Sequence, residues 1–333
     1  MTNRERFRRI MNFEPVDRLL MIEWATWWDK TIAAWKQQGL EIEPCAGMSE
    51  GEALQRQFGL DVHQQCWISI LTELTPRPAS HGVPVISSEE DYERILPTLY
   101  PRDIDLSAFR RFLPRYESGE AITWLTLDGF FWGARQLLGI EPHLYAFYDK
   151  PELLHRINRD IAEFSLRAID AVCSVLTPDF MTIAEDMSYN NGPMLSEEMF
   201  NEFMLPYYDI VVPELKRRGI RVFIDSDGDI TRALSWFEHA GIEGILPLER
   251  QAGVDLEQLR REHPRTLFIG HFDKMTMPRG EAAMRAEFER LMPVMRQGGF
   301  LPSVDHQTPP GVTLDNYRIY LRLLREYAEK AHC

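Results

Sequence analysis

Three aspartates at alternate positions follow a short apolar run in residues 220–230. Residues of this type and spacing could take part in chemistry. The run has the β-branched and aromatic composition of a buried strand, and Asp225, Asp227 and Asp229 follow it directly. Ligands of parallel α/β proteins bind beyond the carboxyl ends of strands, so these carboxylates are placed for proton transfer, metal binding or substrate binding. The alternative is structural, because an aspartate in a strand-to-helix turn often caps the helix.

Other acidic residues and histidines follow the remaining predicted strands. Carboxylates that lie a few ångströms apart raise one another's pKa unless a cation or a proton intervenes. Three arrangements therefore stay open: a bound cation, cationic side chains around the site, or protonated acids that donate protons. The residues concerned are Glu23, Asp128, Glu185, Asp186, Asp225, Asp227, Glu249, His271, Asp273, Asp305 and His306.

Aromatic residues accompany two of these strand ends. Phe130, Phe131 and Trp132 follow a strand in a glycine-flanked loop, which favours the wall of a pocket for a flat ligand over core packing. Trp24 lies at the end of the first predicted strand, where both a core position and a pocket wall are open. His271 carries the same ambiguity, because a single histidine is more often structural than catalytic.

The elements that would position these residues alternate between strand and helix. Eight strands, most of them followed by helices, predict a single (β/α)8 TIM barrel domain covering residues 1–333, with an N-terminal helix at 2–12 and an excursion around 72–113. An open doubly wound sheet is disfavoured because no GxGxxG or Walker sequence follows any strand. The predicted strands are 18–24, 61–71, 121–127, 179–184, 220–224, 241–249, 266–270 and 299–304.

The charge of the chain argues against polyanionic partners. Its 333 residues include 37 Lys plus Arg and 51 Asp plus Glu, which gives a net charge of −14. Such a protein repels nucleic acid and anionic lipid. No run reaches the roughly 18 apolar residues of a membrane helix and no signal peptide is evident, which predicts a cytoplasmic protein. The four cysteines lack zinc-site or disulfide spacing and are expected to be free thiols.

Several of these segments resemble the uroporphyrinogen decarboxylase superfamily, and the resemblance extends over nearly the full chain. That superfamily has a (β/α)8 barrel fold, in agreement with the strand count. The segments are Met1-Thr-Asn-Arg-Glu-Arg-Phe, Glu185-Asp-Met-Ser-Tyr, Asp225-Ser-Asp-Gly-Asp, Gly270-His-Phe-Asp-Lys274 and Gly298-Gly-Phe-Leu-Pro-Ser-Val-Asp-His306.

The superfamily has two branches, and one motif separates this chain from the first. Decarboxylases of that branch work without metal or cofactor and carry an Arg-Gln-Ala-Gly-Arg segment that binds the carboxylates of uroporphyrinogen. The corresponding residues 23–29 here are Glu-Trp-Ala-Thr-Trp-Trp-Asp. The cationic segment is missing, so the resemblance is nearer to the second branch, the methyltransferases that work with methylcobamide proteins.

The resemblance to the second branch implies a metal site with changed ligands. These methyltransferases bind zinc through His-x-Cys after strand five and a Cys after strand eight, and the matching positions here are Asp225, Asp227 and His306. Two carboxylates and an imidazole suit zinc less exclusively and accept other divalent ions. The alternative is that the aspartates work without metal as hydrogen-bonding acids. Asp229 then fits best as the helix cap.

The leading hypothesis is corrinoid-dependent methyl transfer or demethylation of a small methylated compound, with a methylcobamide carried by a partner protein. Asp225, Asp227, Glu185, Asp186 and His271 are the expected catalytic residues. The alternatives are decarboxylation of uroporphyrinogen or another carboxylated aromatic compound, and non-catalytic binding of a corrinoid or tetrapyrrole. The sequence is also compatible with a homodimer. The expected substrate-binding residues are Glu23, Trp24, Asp128, Phe130, Phe131, Trp132 and Glu249.

Overall fold

The computed structural model of the chain describes residues 1–43 and 48–331. The chain divides into two compact units. Unit 1 comprises Met1–Gln64, Pro114–Ile122 and Ile245–Cys333, and unit 2 comprises Gln65–Leu113 and Thr123–Gly244. The single domain predicted for residues 1–333 stays a prediction.

The structure is mixed α/β, and its main sheet has seven strands among the described residues. The strand order is β1-β2-β3-β6-β7-β8-β9, while β4 and β5 form a separate two-stranded pair. The strands are β1 (His63–Ile68), β2 (Ile122–Asp128), β3 (Phe180–Ala184), β4 (Ser188–Tyr189), β5 (Gly192–Pro193), β6 (Arg221–Asp225), β7 (Gly244–Leu246), β8 (Leu267–Phe272) and β9 (Phe300–Val304).

Helices separate most of these strands, as expected for an α/β chain. Short 3-10 helices cover Leu96–Thr98, Arg250–Ala252 and Lys274–Arg279. The α-helices are α1 (Asn3–Met11), α2 (Asp29–Gln37), α3 (Glu50–Gln57), α4 (Glu89–Ile95), α5 (Ser107–Glu117), α6 (Phe130–Leu138), α7 (Ile140–Asp149), α8 (Pro151–Cys173), α9 (Glu197–Phe203), α10 (Leu205–Arg217), α11 (Leu234–His239), α12 (Leu256–Glu262), α13 (Glu281–Met295) and α14 (Leu314–Lys330).

In unit 2, the parallel strands β2, β3 and β6 align their carboxyl ends. Every residue of β2 and β3 is buried, which is typical of parallel strands covered on both faces. Each fully buried aliphatic side chain there contributes about 1.5–3 kcal/mol. Asp128 is in register with Ala184, and Ala184 with Asp225. The register therefore brings the residues at and just after these three strand ends to one edge of the sheet.

In unit 1, β8 and β9 are parallel, and aromatic residues of the last helices pack beside them. His271 is in register with Ser303. Phe272 packs against Phe288 and Tyr320, with ring centroids 4.6 and 4.8 Å apart. These contacts attach α13 and α14 to the end of β8.

Local signals explain several helix ends. Ser49 and Glu52 form a complete capping box at the start of α3. Pro151 occupies the first turn of α8, where its missing N–H costs nothing. The helical segment after β5 breaks between α9 and α10, with Pro206 in the first turn of α10.

The first predicted strand is wrong. Residues 19–23 are buried, but the segment 18–24 is not a strand. Its backbone makes isolated bonds, from Leu19 N to Ala328 O and from Asp61 N to Met21 O, instead of a ladder. Of the eight predicted strands, seven are present, so the closed eight-stranded barrel is not confirmed.

The helix after β2 begins at Phe130, so the glycine-flanked loop expected there is reduced to Gly129. After β6, the helix α11 begins at Leu234. The excursion at 72–113 contains α4 and most of α5.

None of the helices in the described ranges combines the length and the apolar character that crossing a membrane requires. Cys66 and Cys173 are free thiols, as expected. Cys45 and Cys333 lie outside the described residues.

Candidate functional site

Glu185, the residue after β3, is completely buried and holds the start of α6. Its Oε1 accepts a hydrogen bond from the backbone N–H of Phe130 at 3.0 Å, and Oε2 accepts from Phe131 at 2.7 Å and from Trp132 at 3.3 Å. The Tyr208 hydroxyl donates to Oε1. The carboxyl group thus occupies the N-terminus of α6, where free N–H groups and the helix dipole favour an anion.

Burial raises the pKa of Glu185 to about 7, against the effect of these donors, of which Tyr208 is the strongest. Gly129 makes the close approach possible. A Cβ at Gly129 would lie 2.3 Å from the Glu185 carboxyl carbon, so only glycine fits beside it. Glu185, predicted as catalytic, is therefore placed as a helix anchor without access to solvent.

Asp128, the last residue of β2, is buried and organises the segment after β1. Its Oδ1 accepts from the indole N–H of Trp67 at 3.0 Å. Its Oδ2 accepts from the Ser69 hydroxyl at 2.6 Å and from the backbone N–H of Ile70 at 2.8 Å. Asp128 was predicted to bind substrate, and the structure gives its two oxygens three internal donors.

Asp186 is the accessible acid at this edge of unit 2. Its side chain is 35% exposed and pairs with Arg135 at 3.0 Å. The backbone of Asp186 has φ of 43°, a left-handed conformation that is uncommon for residues other than glycine and that concentrates at functional sites. The guanidinium of Arg135 lies 5.3 Å from the ring centroid of Trp132, within cation–π range. Asp186, Arg135 and Trp132 thus form one partly exposed polar and aromatic cluster.

The end of β6 and the loop that follows it carry Asp225, Asp227 and Asp229. The last residue of β6 pairs with the end of β3, beside this cluster. Asp225, Asp227 and Asp229 are partly exposed, while Ser226 between the first two is buried. The backbone carbonyl of Asp225 accepts from Glu185 N and Asp186 N, at 2.9 and 3.2 Å. Asp225 is therefore tied through its main chain to the end of β3.

The rest of the loop is fixed by backbone contacts. Gly228 has φ of +82°, and a Cβ there would lie 2.6 Å from the backbone N of Tyr189 in β4. Asp229 accepts from the backbone N–H of Thr231 at 3.0 Å. It was predicted to cap the helix, but the residue at the N-cap of α11 is Ala233. Asp229 closes the turn before the helix instead.

The aromatic segment after β2 is mostly core. Phe130 and Phe131 are buried as the first residues of α6, and their predicted part in a pocket wall stays a prediction. Phe130 packs on Tyr208 and Phe131 on His143, with centroids 5.0 and 4.6 Å apart. The physical reason is that the helix starts at once and turns both rings inward. Trp132, next in the helix, is partly exposed.

In unit 1, Glu23 is a buried carboxyl group with an incomplete set of partners. It is 3% exposed, and its Oε1 accepts from the Tyr320 hydroxyl at 2.6 Å. No described residue makes a hydrogen bond of regular geometry to Oε2, although Ser303 is near enough to lower the pKa. Burial outweighs both neighbours and raises the pKa of Glu23 to about 8. At pH 7 the group is therefore mainly the neutral acid.

A cavity of about 210 Å³ adjoins Glu23. Its lining is largely apolar and comes from Glu23, residues 25–27, α2 and α3. Unit 1 thus combines a protonated acid with a pocket beside it.

His271 is saturated by internal partners. It is fully buried, its Nδ1 donates to Leu248 O at 2.8 Å, and its Nε2 accepts from Arg290 at 3.2 Å. Burial and the neighbouring Arg290 lower the pKa of His271 to about 4. The imidazole is therefore neutral at pH 7 and both its nitrogens have internal partners, so its catalytic role stays a prediction.

Asp305 is buried and paired. Its Oδ1 lies 3.2 Å from the ammonium of Lys274, and its Oδ2 accepts from the backbone N–H of Arg250 at 3.1 Å. Burial raises the pKa of Asp305, and Lys274 opposes the rise. Asp305 fixes the segments after β8 and β9.

Trp24 and His306 meet in unit 1. Their ring centroids are 6.2 Å apart in an edge arrangement, and the Trp24 indole donates to Val304 O at 2.5 Å. Both residues are partly exposed, as is Glu249 at the start of a 3-10 helix. The structure therefore leaves Trp24, His306 and Glu249 accessible to a ligand.

Metal binding by Asp225, Asp227 and His306 stays a prediction. Within residues 1–43 and 48–331, no three His, Cys, Asp or Glu side chains form a group that could hold a metal ion. The donor set present does not fit a structural or catalytic metal in its usual three- or four-ligand form.

The sequence analysis missed the side chains that control these acids. Tyr208 reaches Glu185 from α10, Tyr320 reaches Glu23 from α14, and Arg135 pairs with Asp186 from α6. Tyr320 is 297 residues from Glu23 along the chain. A tyrosine on the buried face of a helix was the only available signal, and it does not identify the partner.

Comparisons with known proteins agree with this architecture. A methyltransferase from Methanosarcina mazei has a TM-score of 0.67 at 15% sequence identity, with 98% of this chain and 99% of that chain covered, which shows a shared fold. A B12-independent methionine synthase from Shewanella sp. W3-18-1 has a TM-score of 0.46 at 13% identity, with 69% and 67% covered, too distant to carry an argument.

The sequence comparison gives the family. A search of curated proteins gives no match. Residues 134–327, more than half of the chain, match the family model for uroporphyrinogen decarboxylase (URO-D). The resemblance inferred from the motifs is thereby confirmed, and the chain belongs to the uroporphyrinogen decarboxylase (URO-D) family.

Proposed function

We propose that this protein is a methyltransferase that removes a methyl group from a small methylated compound and works with a corrinoid-carrying partner protein. The observation that carries the proposal is Glu23, a buried acid with its pKa raised to about 8. It stands in the segment where decarboxylases of the family bind substrate carboxylates through arginines. The similarity in fold to a methyltransferase over nearly the whole of both chains supports the same branch.

Demethylation of an ether or a similar compound needs a proton at the departing atom. The bond between the methyl carbon and the oxygen breaks, the electron pair stays on the oxygen, and the methyl group passes to the acceptor. A corrinoid, when bound, supplies the nucleophilic centre that takes the methyl group. Glu23 holds a proton at neutral pH and releases it to the developing oxyanion, which is general acid catalysis typically worth about 10²- to 10⁴-fold.

The pairing of nearby cations disfavours a polycarboxylate substrate. In unit 2, Arg135 is engaged by Asp186 at 3.0 Å. In unit 1, Lys274 is engaged by Asp305 at 3.2 Å. Each cation already has an anionic partner, so the carboxylates of a porphyrinogen would have to compete for it. An acidic chain with a net charge of −14 adds to this repulsion.

The accessible acids of unit 2 have a supporting role in the proposal. Asp186 is held by Arg135 and stands beside Trp132, an arrangement that orients a polar group over an aromatic face. Asp225 and Asp227 are partly exposed at the neighbouring strand end. We assign these three acids to substrate orientation or to contact with the partner, and Glu185 and Asp128 to holding the framework.

The proposal is tested with free cob(I)alamin as acceptor, because no partner protein has to be known. The purified protein is incubated with methoxybenzene and with methanol, and methylcobalamin formation is followed by its absorption spectrum. We expect methylcobalamin with the native protein and with Glu202→Gln, an exposed control on α9. With Glu23→Gln we expect a rate at least 100-fold lower. Equal rates with and without protein would refute methyl transfer.

Decarboxylation is the second candidate, because the family model is that of a decarboxylase. A protonated Glu23 also suits the delivery of a proton to the carbon that loses carbon dioxide. Incubation with uroporphyrinogen separates the two functions. Stepwise release of carbon dioxide, in the absence of methyl transfer, would reverse our assignment. Tight binding of cobalamin without turnover of any donor would favour a binding protein.

A further inference from the structure

The imidazole of His63, the first residue of β1, is buried in unit 1 and faces two carbonyl oxygens. Its Nε2 lies 2.8 Å from the backbone oxygen of Glu23, and its Nδ1 lies 2.9 Å from the backbone oxygen of Asp61. Only 5% of His63 is exposed, so water does not replace either contact. His63 therefore joins the main chain of Glu23, the proton donor of the proposed function, to the chain before β1.

These two contacts require two protons on the ring. A carbonyl oxygen only accepts hydrogen bonds, and a neutral imidazole carries a proton on one of its nitrogens. Either neutral tautomer therefore leaves a nitrogen lone pair directed at a carbonyl oxygen, whereas the imidazolium ion donates to both. The amide group of Gln55, 3.3 Å from Nε2, suits both forms, because it can turn either its NH2 group or its oxygen toward the ring. The two carbonyl oxygens thus favour a charged His63.

The partners of the Glu23 carboxyl group favour its charged form in the same way. The Tyr320 hydroxyl donates to Oε1 at 2.6 Å, and the Ser303 hydroxyl also lowers the pKa of Glu23. Ser303 Oγ accepts from the backbone N–H of Trp24 at 3.2 Å, which leaves the hydroxyl proton of Ser303 for Glu23. Two O–H donors suit a carboxylate, which accepts through both oxygens. A neutral carboxyl group brings a proton of its own, while both hydroxyl neighbours already act as donors.

Burial acts in the opposite direction on both groups. It raises the pKa of Glu23 to about 8 and lowers the pKa of His63 from its ordinary 6.5. A neutral pair avoids two buried charges, while an ion pair satisfies the hydrogen bonds of both groups. The two forms contain the same number of protons. They differ in which group holds the proton, so a change of pH does not by itself convert one into the other.

We propose that Glu23 and His63 share one proton near neutral pH, so that an ionised Glu23 is accompanied by a charged His63. In methyl transfer, Glu23 gives its proton to the departing oxygen, and His63 binds a proton from water and compensates the remaining carboxylate. His63 is a positioning residue, because it acts on the reaction only through Glu23. This role rests on the proposed methyl transfer, but the shared proton is measured without turnover.

Other ionisable groups around the pair are ion-paired or remain uncharged near neutral pH. Asp305 acts on Tyr320, and Glu50 lines the pocket beside Glu23. The ion pairs are Arg18–Asp61, Lys36–Glu50 and Lys274–Asp305. The uncharged groups are Tyr317 and Tyr320, because burial raises their pKa values well above 10. The proton that Glu23 and His63 share therefore has no third holder among these groups.

The proton is located by NMR of the protein with isotope-labelled histidine, because the ring nitrogens distinguish neutral imidazole from the imidazolium ion. At pH 7.5, the imidazolium fraction of His63 should be at least about threefold larger in the native protein than in Glu23→Gln. The variant keeps a neutral side chain of the same shape, so His63 there is a lone buried imidazole with a pKa below 6.5. Glu50→Gln, at the same pocket, should keep the native fraction. Equal fractions in the native protein and in Glu23→Gln would overturn the inference.

The pH dependence of the native protein gives an independent check that needs no variant. A lone imidazole loses its charge in one step below pH 6.5. The shared proton leaves the pair as a unit, so the imidazolium signal of His63 should persist to about pH 8 and vanish there together with the protonated carboxyl group. A single step below pH 6.5 would contradict the sharing, even if Glu23→Gln did not fold.

The catalytic consequence is tested by His63→Gln, whose amide still donates to the Glu23 carbonyl but cannot take up a charge. With cob(I)alamin as acceptor, kcat should fall about tenfold while KM stays unchanged, because the variant leaves the carboxylate uncompensated. An unchanged kcat would overturn the positioning role. A shared proton in a protein without methyl transfer would confirm the pair and contradict the proposed function, so the two proposals fail independently.

Discussion

The replacement Glu185→Gln is the sharpest test of how unit 2 is held together. The two carboxylate oxygens of Glu185 accept from three backbone N–H groups at the start of α6 and from the Tyr208 hydroxyl. A glutamine side chain has the same shape, but one of its terminal atoms is an NH2 group. That group cannot accept a hydrogen bond, and it would face at least two N–H or O–H donors.

The magnitude follows from the number of donors left without an acceptor. A buried donor without a partner costs about 1–3 kcal/mol, so two cost about 2–6 kcal/mol. Glu185 has no solvent exposure, so water cannot replace the lost acceptor. A further stabilisation of about 0.3–1 kcal/mol between the carboxylate and the helix dipole is also lost. We expect Glu185→Gln to lower the free energy of unfolding by about 3–5 kcal/mol.

Urea unfolding measures this loss, and hydrogen exchange locates it. The unfolding midpoint should fall strongly for Glu185→Gln and hardly change for Glu202→Gln, which alters an exposed glutamate on α9. The amide protons of Phe130 and Phe131 should exchange faster in the Glu185 variant. A loss below 1 kcal/mol, with unchanged exchange at the start of α6, would refute the view that Glu185 is a helix anchor.

Three further substitutions test other parts of the structure. Burial raises the pKa of Glu23 from an ordinary 4.5 to about 8, so the folded protein binds this proton more tightly than the unfolded chain. The resulting stability is complete below pH 4.5 and is lost as the pH rises through 8. At about 1.4 kcal/mol per pKa unit, the loss is about 4–5 kcal/mol. Urea unfolding near pH 5 and pH 9 should show this loss of stability in the native protein and not in Glu23→Gln. In Gly129→Ala the new Cβ would lie 2.3 Å from the Glu185 carboxyl carbon. Thermal unfolding should therefore show a free energy of unfolding lowered by about 1–3 kcal/mol. An unchanged melting temperature would contradict the close approach. Asp186→Asn should change stability by less than about 1 kcal/mol, because the pair of Asp186 with Arg135 is partly exposed. The same substitution should lower kcat/KM for methyl transfer about 10- to 100-fold. An unchanged kcat/KM would exclude substrate orientation by Asp186.

Most of the fold could be predicted because strands and helices of an α/β protein alternate and each has its own periodicity. The exception shows the limit of that method. Residues 18–24 have the composition of a buried strand, but their backbone bonds go singly to Ala328 and Asp61. Hydrophobic periodicity reports burial. It does not report whether a neighbouring strand is present to complete a ladder.

The candidate site could be predicted only as a set of residues, without their roles. Acids at strand ends were predicted as a group, but a sequence does not show which N–H and O–H donors reach each of them. Asp128 has three donors from the end of β1 and the residues after it, and His271 has Leu248 O and Arg290 on its two nitrogens. These partners come from other elements, so spacing along the chain carries no signal for them.

The two buried glutamates show which property separates a structural acid from a chemical one. Burial raises the pKa of both Glu23 and Glu185, to about 8 and about 7, so a raised pKa does not distinguish them. Their partners do. Glu185 receives four donors on two oxygens, which leaves no atom to present to a substrate. Glu23 has two hydroxyl neighbours, Tyr320 and Ser303, and lies beside a cavity. A protonated acid that borders a cavity can give its proton to a ligand, whereas a saturated one can only hold its own helix.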